Sequence, residues 1–310
     1  MELEEVIEII KAVLDQAFDY EESLKRENID HNDVVQLREI VANSPHVPKL
    51  MYDKLLIVFL KGNKCDINAA AKCVEKYYEL KATCPEFFWP RNLDSPELAF
   101  ATTVHHMTTL PVSPDNCYVI MLKLVDTDPQ NYNYDDLFKL FMMMAENAVM
   151  TYGPRDGLIF VLDFTGVSFG HLLRPSISSI MKCLDFVQNG NPLKPKAIHI
   201  LNTTSLFQIL ISMLKPFMRS DLFNCIQTHP SDMDYEEFYE NHLPRHCLPA
   251  DYGGELPSME YLHFQNLEKI ASLKKYWIYE EHHLKQQLDN FTDELCEIVQ
   301  ISPYDECSHL

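Results

Sequence analysis

Glycine is scarce in this chain, at 8 of 310 residues. Neither G-x-G-x-x-G nor G-x-x-x-x-G-K occurs, which removes nucleotide binding by either phosphate-cradling fingerprint. Positive charge is also short. The 26 Lys and Arg stand against 46 Asp and Glu, a formal net charge of −20. So acidic a chain lacks the clustered cations that phosphate neutralisation on a nucleic acid requires. No run reaches the ~18 apolar residues of a membrane-spanning helix. The nine cysteines are scattered without close pairs, which fits reduced thiols in the cytoplasm better than a disulfide framework. The acidic start MELEEVIEII resembles neither a secretory signal nor an Arg-rich transit peptide.

What is present is ordinary in amount and unusual in placement. A hydrophobic fraction of 46% with 23% charged residues suits a soluble globular protein of one large domain or two modest ones. Residues 1–30 hold ten acids and three bases, whereas residues 171–230 hold six bases and two acids. This second segment is the one candidate for contact with an anionic surface.

The first part of the chain reads as helical. Leu3, Val6, Ile7, Ile10, Val13, Leu14, Ala17 and Phe18 recur at helical spacing. Further helices are expected over Asp33–Val41, from about Leu50 to Lys61, and from the cap Asp66 to the Cys84-Pro85 break. Ser95-Pro96 opens another as cap and first-turn proline. A boundary near residue 95 then separates a helical domain (1–95) from an α/β domain (96–260), with a last helix from Leu262 to Val299 in a C-terminal segment (261–310).

The α/β pattern comes from alternating strands and helices. Cys117–Val125, Leu158–Phe164 and Lys196–Leu201 read as strands, with helices over Tyr134–Met150, after Arg174-Pro175, and over Leu206–Phe223. That order implies a mostly parallel sheet covered by helices. The Leu206–Phe223 segment has almost no polar face, so it must be covered on both sides. Packing inside a core and closure over an apolar ligand both satisfy this. The triple methionine Met142–Met144 has the same two readings, because methionine fills irregular gaps and also lines flexible apolar pockets.

Two constellations have the look of chemistry. Gly166-Val-Ser168-Phe-Gly170 matches the G-x-S-x-G elbow of serine hydrolases. The strand ends too early to place Ser168 on the turn, however, and no oxyanion-type glycine run precedes it. His242, His246 and Cys247 are metal-ligand types at helical spacing, but Pro244 and Pro249 interrupt any helix there and no second ligand cluster is near. A coincidental loop and a polar loop are the better readings. His105-His106 and His282-His283 read as solvated pairs.

An ordered series of motifs resembles the CRAL-TRIO lipid-binding family. It begins with Asp53-Lys-Leu-Leu-Ile-Val-Phe-Leu-Lys-Gly-Asn-Lys-Cys-Asp-Ile67, then Ala70, Tyr77-Tyr78 and Cys84-Pro85-Glu86. Asp163-Phe-Thr-Gly166, Pro192-Leu-Lys-Pro-Lys-Ala-Ile-His199 and Asn202 follow, and Lys215-Pro216-Phe217 and Leu248-Pro-Ala-Asp-Tyr-Gly-Gly254 complete it. The similarity covers roughly residues 45–260 and looks strongest toward the branch of α-tocopherol transfer protein and retinaldehyde-binding protein.

The resemblance implies an α/β fold in which a helical bundle precedes a mixed sheet, and a gate helix, here about Thr203–Ile226, covers an apolar pocket. It implies a non-enzymatic, cytoplasmic carrier without a metal or cofactor that binds a tocopherol-like or retinoid-like molecule and delivers it to membranes. Strand alternation sets Leu158, Phe160 and Leu162 on one face, with Ile159 and Val161 on the other, and the family pattern turns the first set toward ligand. The pocket residues carried over are Leu122 and Leu124, Phe138, Met142 and Ala145, and Phe169, Cys183, Phe186, Val187 and Ile198. From the gate come Leu210, Met213, Leu214 and Met218. Membrane contact falls on Lys194, Lys196, Lys215 and Arg219. Lys194 and Lys196 match the family's first phosphoinositide-binding pair, whereas the second pair falls on Asp221 and Cys225. Asp251 stands where the family's end turn usually has Glu.

Overall fold

A computed structural model describes residues 17–48 and 51–278, with Val13, Glu280 and Glu281. The helical spacing of residues 3–14, nearly all of the C-terminal segment beyond 281, and His282-His283 lie outside the described residues.

The chain starts with short capped helices. α1 (Tyr20–Glu27) and α2 (His31–Val41) each begin on an aspartate, Asp19 and Asp30, whose carboxylate accepts a first-turn amide. α3 (Asp53–Gly62) and α4 (Ile67–Thr83) follow, the latter capped by Asp66 through Ala69 N at 2.9 Å. Pro85 opens the single turn α5 (Pro85–Phe88), and Ser95 caps α6 (Pro96–Val104). The sheet then begins with β1 (His105–Leu110) and β2 (Cys117–Leu124). Next come α7 (Tyr134–Tyr152), β3 (Gly157–Asp163), the short α8 (Phe169–Leu172) and α9 (Ile177–Asp185), continued by one wide turn at Phe186–Gly190. β4 (Pro195–Leu201), α10 (Ser205–Leu214), α11 (Ser220–Asn224), β5 (Ile226–Thr228), α12 (Tyr235–Asn241) and α13 (Met259–Ser272) complete it.

The five strands lie in sequential order, with β1 antiparallel to β2 and the rest parallel. Register pairs Ile120 with Phe160, Leu122 with Leu162, and Phe160 with Ile198. Because side chains alternate across a strand, the sheet has two faces of different character. Val119, Met121, Ile159, Val161 and Leu201 pack against Phe238, Leu243, Leu248, Tyr252 and Met259, the segment around and after α12. The opposite face looks toward α7, α9 and α10, and there the interior is hollow.

The helical layer is fused to the sheet domain by one continuous apolar core that runs from Phe18 to Trp277 and includes much of α3, α4 and α7. At its centre Lys81, fully buried, donates to Glu146 at 2.9 Å and to Glu280 at 2.5 Å, while Arg91 donates to Glu146 at 2.8 Å. Burial lowers the Lys81 pKa to about 7 even beside these acids.

Several elements differ from what the sequence suggests. β1 follows α6 without a turn residue, so His105 and His106 begin a strand. His105 is buried and His106 stacks on His263 at 4.9 Å; the solvated pair is corrected. β5 has three residues, too few for a periodic signal. The gate segment is not one helix. Pro216 cannot continue the hydrogen-bond ladder, so α10 ends at Leu214 and a tight turn at Lys215–Phe217 leads to α11. α9 starts at Ile177 on the Ser176 cap, two residues after the Arg174-Pro175 pair. The last helix breaks at Leu273 before a second helical run at 274–278.

Candidate functional site

The hollow side of the sheet borders a cavity of about 370 Å³, within the range of small-molecule sites. Its floor is Leu122 and Leu124 of β2, Leu158, Phe160 and Leu162 of β3, and Ile198 and Ile200 of β4. One wall is α7, through Leu137, Phe138 and Phe141. Another is α9 and its wide turn, through Ile180, Cys183, Leu184 and Val187. The roof is α10, with Phe207, Leu210, Ile211 and Leu214 at helical spacing, followed by Met218 and Leu222.

Of the residues the sequence proposes for a pocket, Leu122, Leu124, Phe138, Leu158, Phe160, Leu162, Cys183, Val187, Ile198, Leu210, Leu214 and Met218 meet at this cavity. Five do not. Met142 and Ala145 lie further along α7, where the helix has left the cavity and packs beside Val58, Phe59 and Tyr77 of the helical layer. Phe186 sits behind the wall, its ring against Tyr77, Phe88 and Phe138 at 5.7, 5.6 and 6.0 Å. Phe169 and Met213 point outward, 52% and 65% exposed. Phe207 and Ile211 share the stripe of Leu210 and Leu214, so helical spacing could have found them. Ile180 and Leu184 likewise flank Cys183 and Val187 at i, i+3, i+4 and i+7. His105, Tyr132 and His171 also line the cavity, and nothing in their local pattern announces it.

The Asp163-Phe-Thr-Gly166 motif at the end of β3 has a structural explanation. Asp163 Oδ1 accepts from Thr165 N (2.9 Å), Thr165 Oγ1 (2.7 Å) and Asn202 Nδ2 (2.8 Å), and Oδ2 accepts from Tyr252 OH (2.8 Å). Burial alone would raise the Asp163 pKa, but these four donors outweigh it and hold the carboxyl below its ordinary value. The knot ties the ends of β3 and β4 to the Leu248–Gly254 turn. Gly166 closes the turn after it at φ +80°, where a Cβ would meet the Thr127 methyl at 2.4 Å. Asp251 holds the next element, accepting from Met259 N at 2.7 Å.

The G-x-S-x-G match lies past this knot. Ser168 is the cap of α8, and both its backbone amide (3.0 Å) and its hydroxyl (2.9 Å) meet Nδ1 of His171. His171 Nε2 has no carboxylate or other hydrogen-bond partner among the described residues. The arrangement is therefore a reciprocal helix cap, in which Nδ1 is occupied by an amide proton. At the other motif, His242 gathers with His199 and His229 at ring separations of 4.9 and 5.2 Å, while His246 is exposed and away from them. No group of three or more ligand-type residues among those described is arranged to hold a metal.

The basic residues have separate partners. Lys196 is exposed and Lys194 half-buried, with Nζ 4.0 Å from Cys73 Sγ. Lys215 lies over the Phe223 ring at 4.5 Å. Arg219 is committed to its neighbours, donating to Gln188 O at 2.8 Å, Asn189 Oδ1 at 3.0 Å and Asp221 at 3.3 Å. Arg219 and Asp221 thus form an exposed ion pair. No helix of the described residues is long and apolar enough to cross a membrane.

Comparison with known proteins agrees with this architecture. Residues 108–254 match the family model of the CRAL/TRIO domain, and residues 26–98 match that of the Pinta-like UBA domain. Over residues 108–254 the chain is thus similar to the CRAL-TRIO domain of a lipid-binding and lipid-transfer family. It is 26% identical over 225 residues to the human "Alpha-tocopherol transfer protein-like" and 27% identical to the mouse protein of that name. These matches cover 72% of this chain and 64% of each relative's length. Clavesin-1 of Xenopus laevis is 21% identical over 234 residues, covering 73% of this chain and 68% of that protein. The solved structure titled "Crystal structure of Sfh5" aligns with a TM-score of 0.49 at 14% identity, over 81% of this chain and 99% of that one.

Proposed function

We propose that this protein binds one small lipophilic molecule, tocopherol-like or retinoid-like, in the cavity beneath α10 and transfers it to membranes without altering it. The observation that carries this reading is an almost wholly apolar cavity lined on one side by a single short helix. The names of the tocopherol-transfer-like relatives support the same ligand class.

Energetics explain why such a site needs a movable roof. Burying about 400 Å² of ligand surface is worth about 10 kcal/mol gross at ~25 cal/mol per Å², so release into water is slow. Release into a bilayer avoids most of that cost, because the ligand passes from one apolar medium to another. α10 suits the task. Its inner stripe lines the cavity, and its outer side exposes Ile209 and Met213, with Phe217 just beyond. Phe169 of α8, Leu173 after it, and Ile177 and Met181 of α9 are also exposed, and large exposed apolar side chains support docking on a membrane. Lys194, Lys196 and Lys215 supply general attraction to anionic lipid. With Asp221 paired to Arg219, this contact works by charge more than by recognition of a particular phosphoinositide.

The two sides of α10 separate binding from delivery. Vesicle-to-vesicle transfer of a fluorescent lipophile should be lost in Leu210→Asp because binding is lost. In Met213→Asp binding should persist and transfer fall at least tenfold. Unchanged transfer in both variants would overturn the reading.

A further inference from the structure

The cavity wall is mostly apolar, with Tyr134 and Cys183 hydrogen-bonded to each other. Of its polar side chains, Asp163 is saturated by Thr165, Asn202 and Tyr252. Asn191 spends both amide atoms on Leu193, donating from Nδ2 at 3.1 Å and accepting at Oδ1 at 3.0 Å. Among the buried nitrogen and oxygen atoms of the lining, two lack a hydrogen-bond partner within the described residues: Nε2 of His105 and Nε2 of His171. Both imidazoles are at least 96% buried. Both meet the ring of Tyr132 edge-on, each at a centroid separation of 5.5 Å, and His171 lies near enough for its charge to act on His105, so the two imidazoles share one corner, at the start of β1 and in α8. A buried polar atom left unpaired is costly, and its presence on a ligand-cavity wall calls for a partner from outside the protein.

The backbone fixes the tautomer of each ring. His171 Nδ1 receives the Ser168 amide proton at 3.0 Å, so it must carry a lone pair, and the proton sits on Nε2. His105 Nδ1 faces the carbonyl oxygen of Ala101 at 3.3 Å, which can only accept, so Nδ1 carries the proton and Nε2 the lone pair. The corner therefore offers one donor and one acceptor. Burial, which lowers the pKa of both rings and takes His105 to about 4, keeps these neutral tautomers in place.

We propose that His105 and His171 select a lipophile bearing a free hydroxyl, an alcohol or a phenol, which accepts from His171 Nε2 and donates to His105 Nε2. A hydroxyl is the simplest group with both capacities. An ether, ester or aldehyde leaves the His105 lone pair unmatched, and a carboxylate sets negative charge against it. The apolar remainder of the ligand fills the space above Phe160 and Leu162. This inference rests on the carrier reading and narrows its ligand class.

The test is displacement of a fluorescent apolar dye from the full chain by four compounds on one hydrocarbon: hexadecan-1-ol, its methyl ether, hexadecanal and hexadecanoate. The alcohol should bind about tenfold more tightly than the ether or the aldehyde, the effect of one buried hydrogen bond and one avoided mismatch. His105→Phe and His171→Phe should each remove that preference, so that alcohol and ether bind with equal affinity. Because His171 also caps α8, His105→Phe and the unmodified protein carry the test if His171→Phe folds poorly. Equal affinity of alcohol and ether in the unmodified protein would overturn the hydroxyl assignment and leave the carrier reading standing. Binding of none of the four would overturn both.

Discussion

The two faces of the central sheet are built from the same strands and the same kinds of residue, yet one is packed and the other is hollow. Ile159 and Val161 meet Phe238, Leu243 and Leu248 in continuous contact. Leu158, Phe160 and Leu162, one residue out of phase, meet a cavity. Strand alternation assigns residues to a face, but it says nothing of how far away the opposite layer lies. The difference comes from the covering elements. On the packed face the chain between Tyr235 and Met259 lies down as short helices and turns, anchored by Asp163, Tyr252 and Asp251. On the hollow face α7 and α9 stand as walls, and the short α10 packs through Phe207 on Phe164 and Ile200.

The comparison breaks most readily by truncation. Phe238→Ala should cost about 3–5 kcal/mol, because it opens a void in a filled layer. Phe160→Ala only enlarges a space already present and should cost about 1–2 kcal/mol in the same urea unfolding experiment. Equal costs would mean that the two faces are packed alike.

Each face also contains a buried histidine, and this sharpens the comparison. Burial, with the charge of His242 and His229, lowers His199 to about 3 on the packed side, and burial takes His105 to about 4 on the hollow side. Both values lie below the ordinary value of 6.5, so the unfolded chain binds more protons and stability rises with pH from those values to 6.5. Moving from pH 7 to pH 5 should remove about 2 kcal/mol for each ring, about 4 kcal/mol together, at 1.36 kcal/mol per unit. His199→Phe and His105→Phe should each flatten about half of that slope. Bound ligand should suppress the His105 half alone, a smaller effect that thermal melts at the two pH values would resolve.

The fold was legible where local chemistry determines it. Capped helices such as the one opened by Asp66, and the apolar strands β2, β3 and β4, announce themselves by periodicity and caps. β1 and β5 did not, since His105-His106 resembles a polar pair and Ile226–Thr228 is too short to show a pattern. At the site, the floor residues followed from alternation and the family likeness. Met142, Ala145 and Phe186 were misplaced because helical spacing gives a stripe but not where along its length the cavity ends. Met213 was misplaced because a helix apolar all round gives no sign of which side faces in. His105 and His171 could not be read at all, since their importance lies in what their second nitrogen lacks, and only the folded arrangement reveals a missing partner.

Native mass spectrometry of the gently ionised full chain tests the hollow face most directly. The account predicts a single added mass, one lipophile per chain, that is extractable into organic solvent and absent from an Ile198→Trp variant whose indole fills the cavity. A chain that is always bare, or one whose added mass persists unchanged in Ile198→Trp, would contradict it.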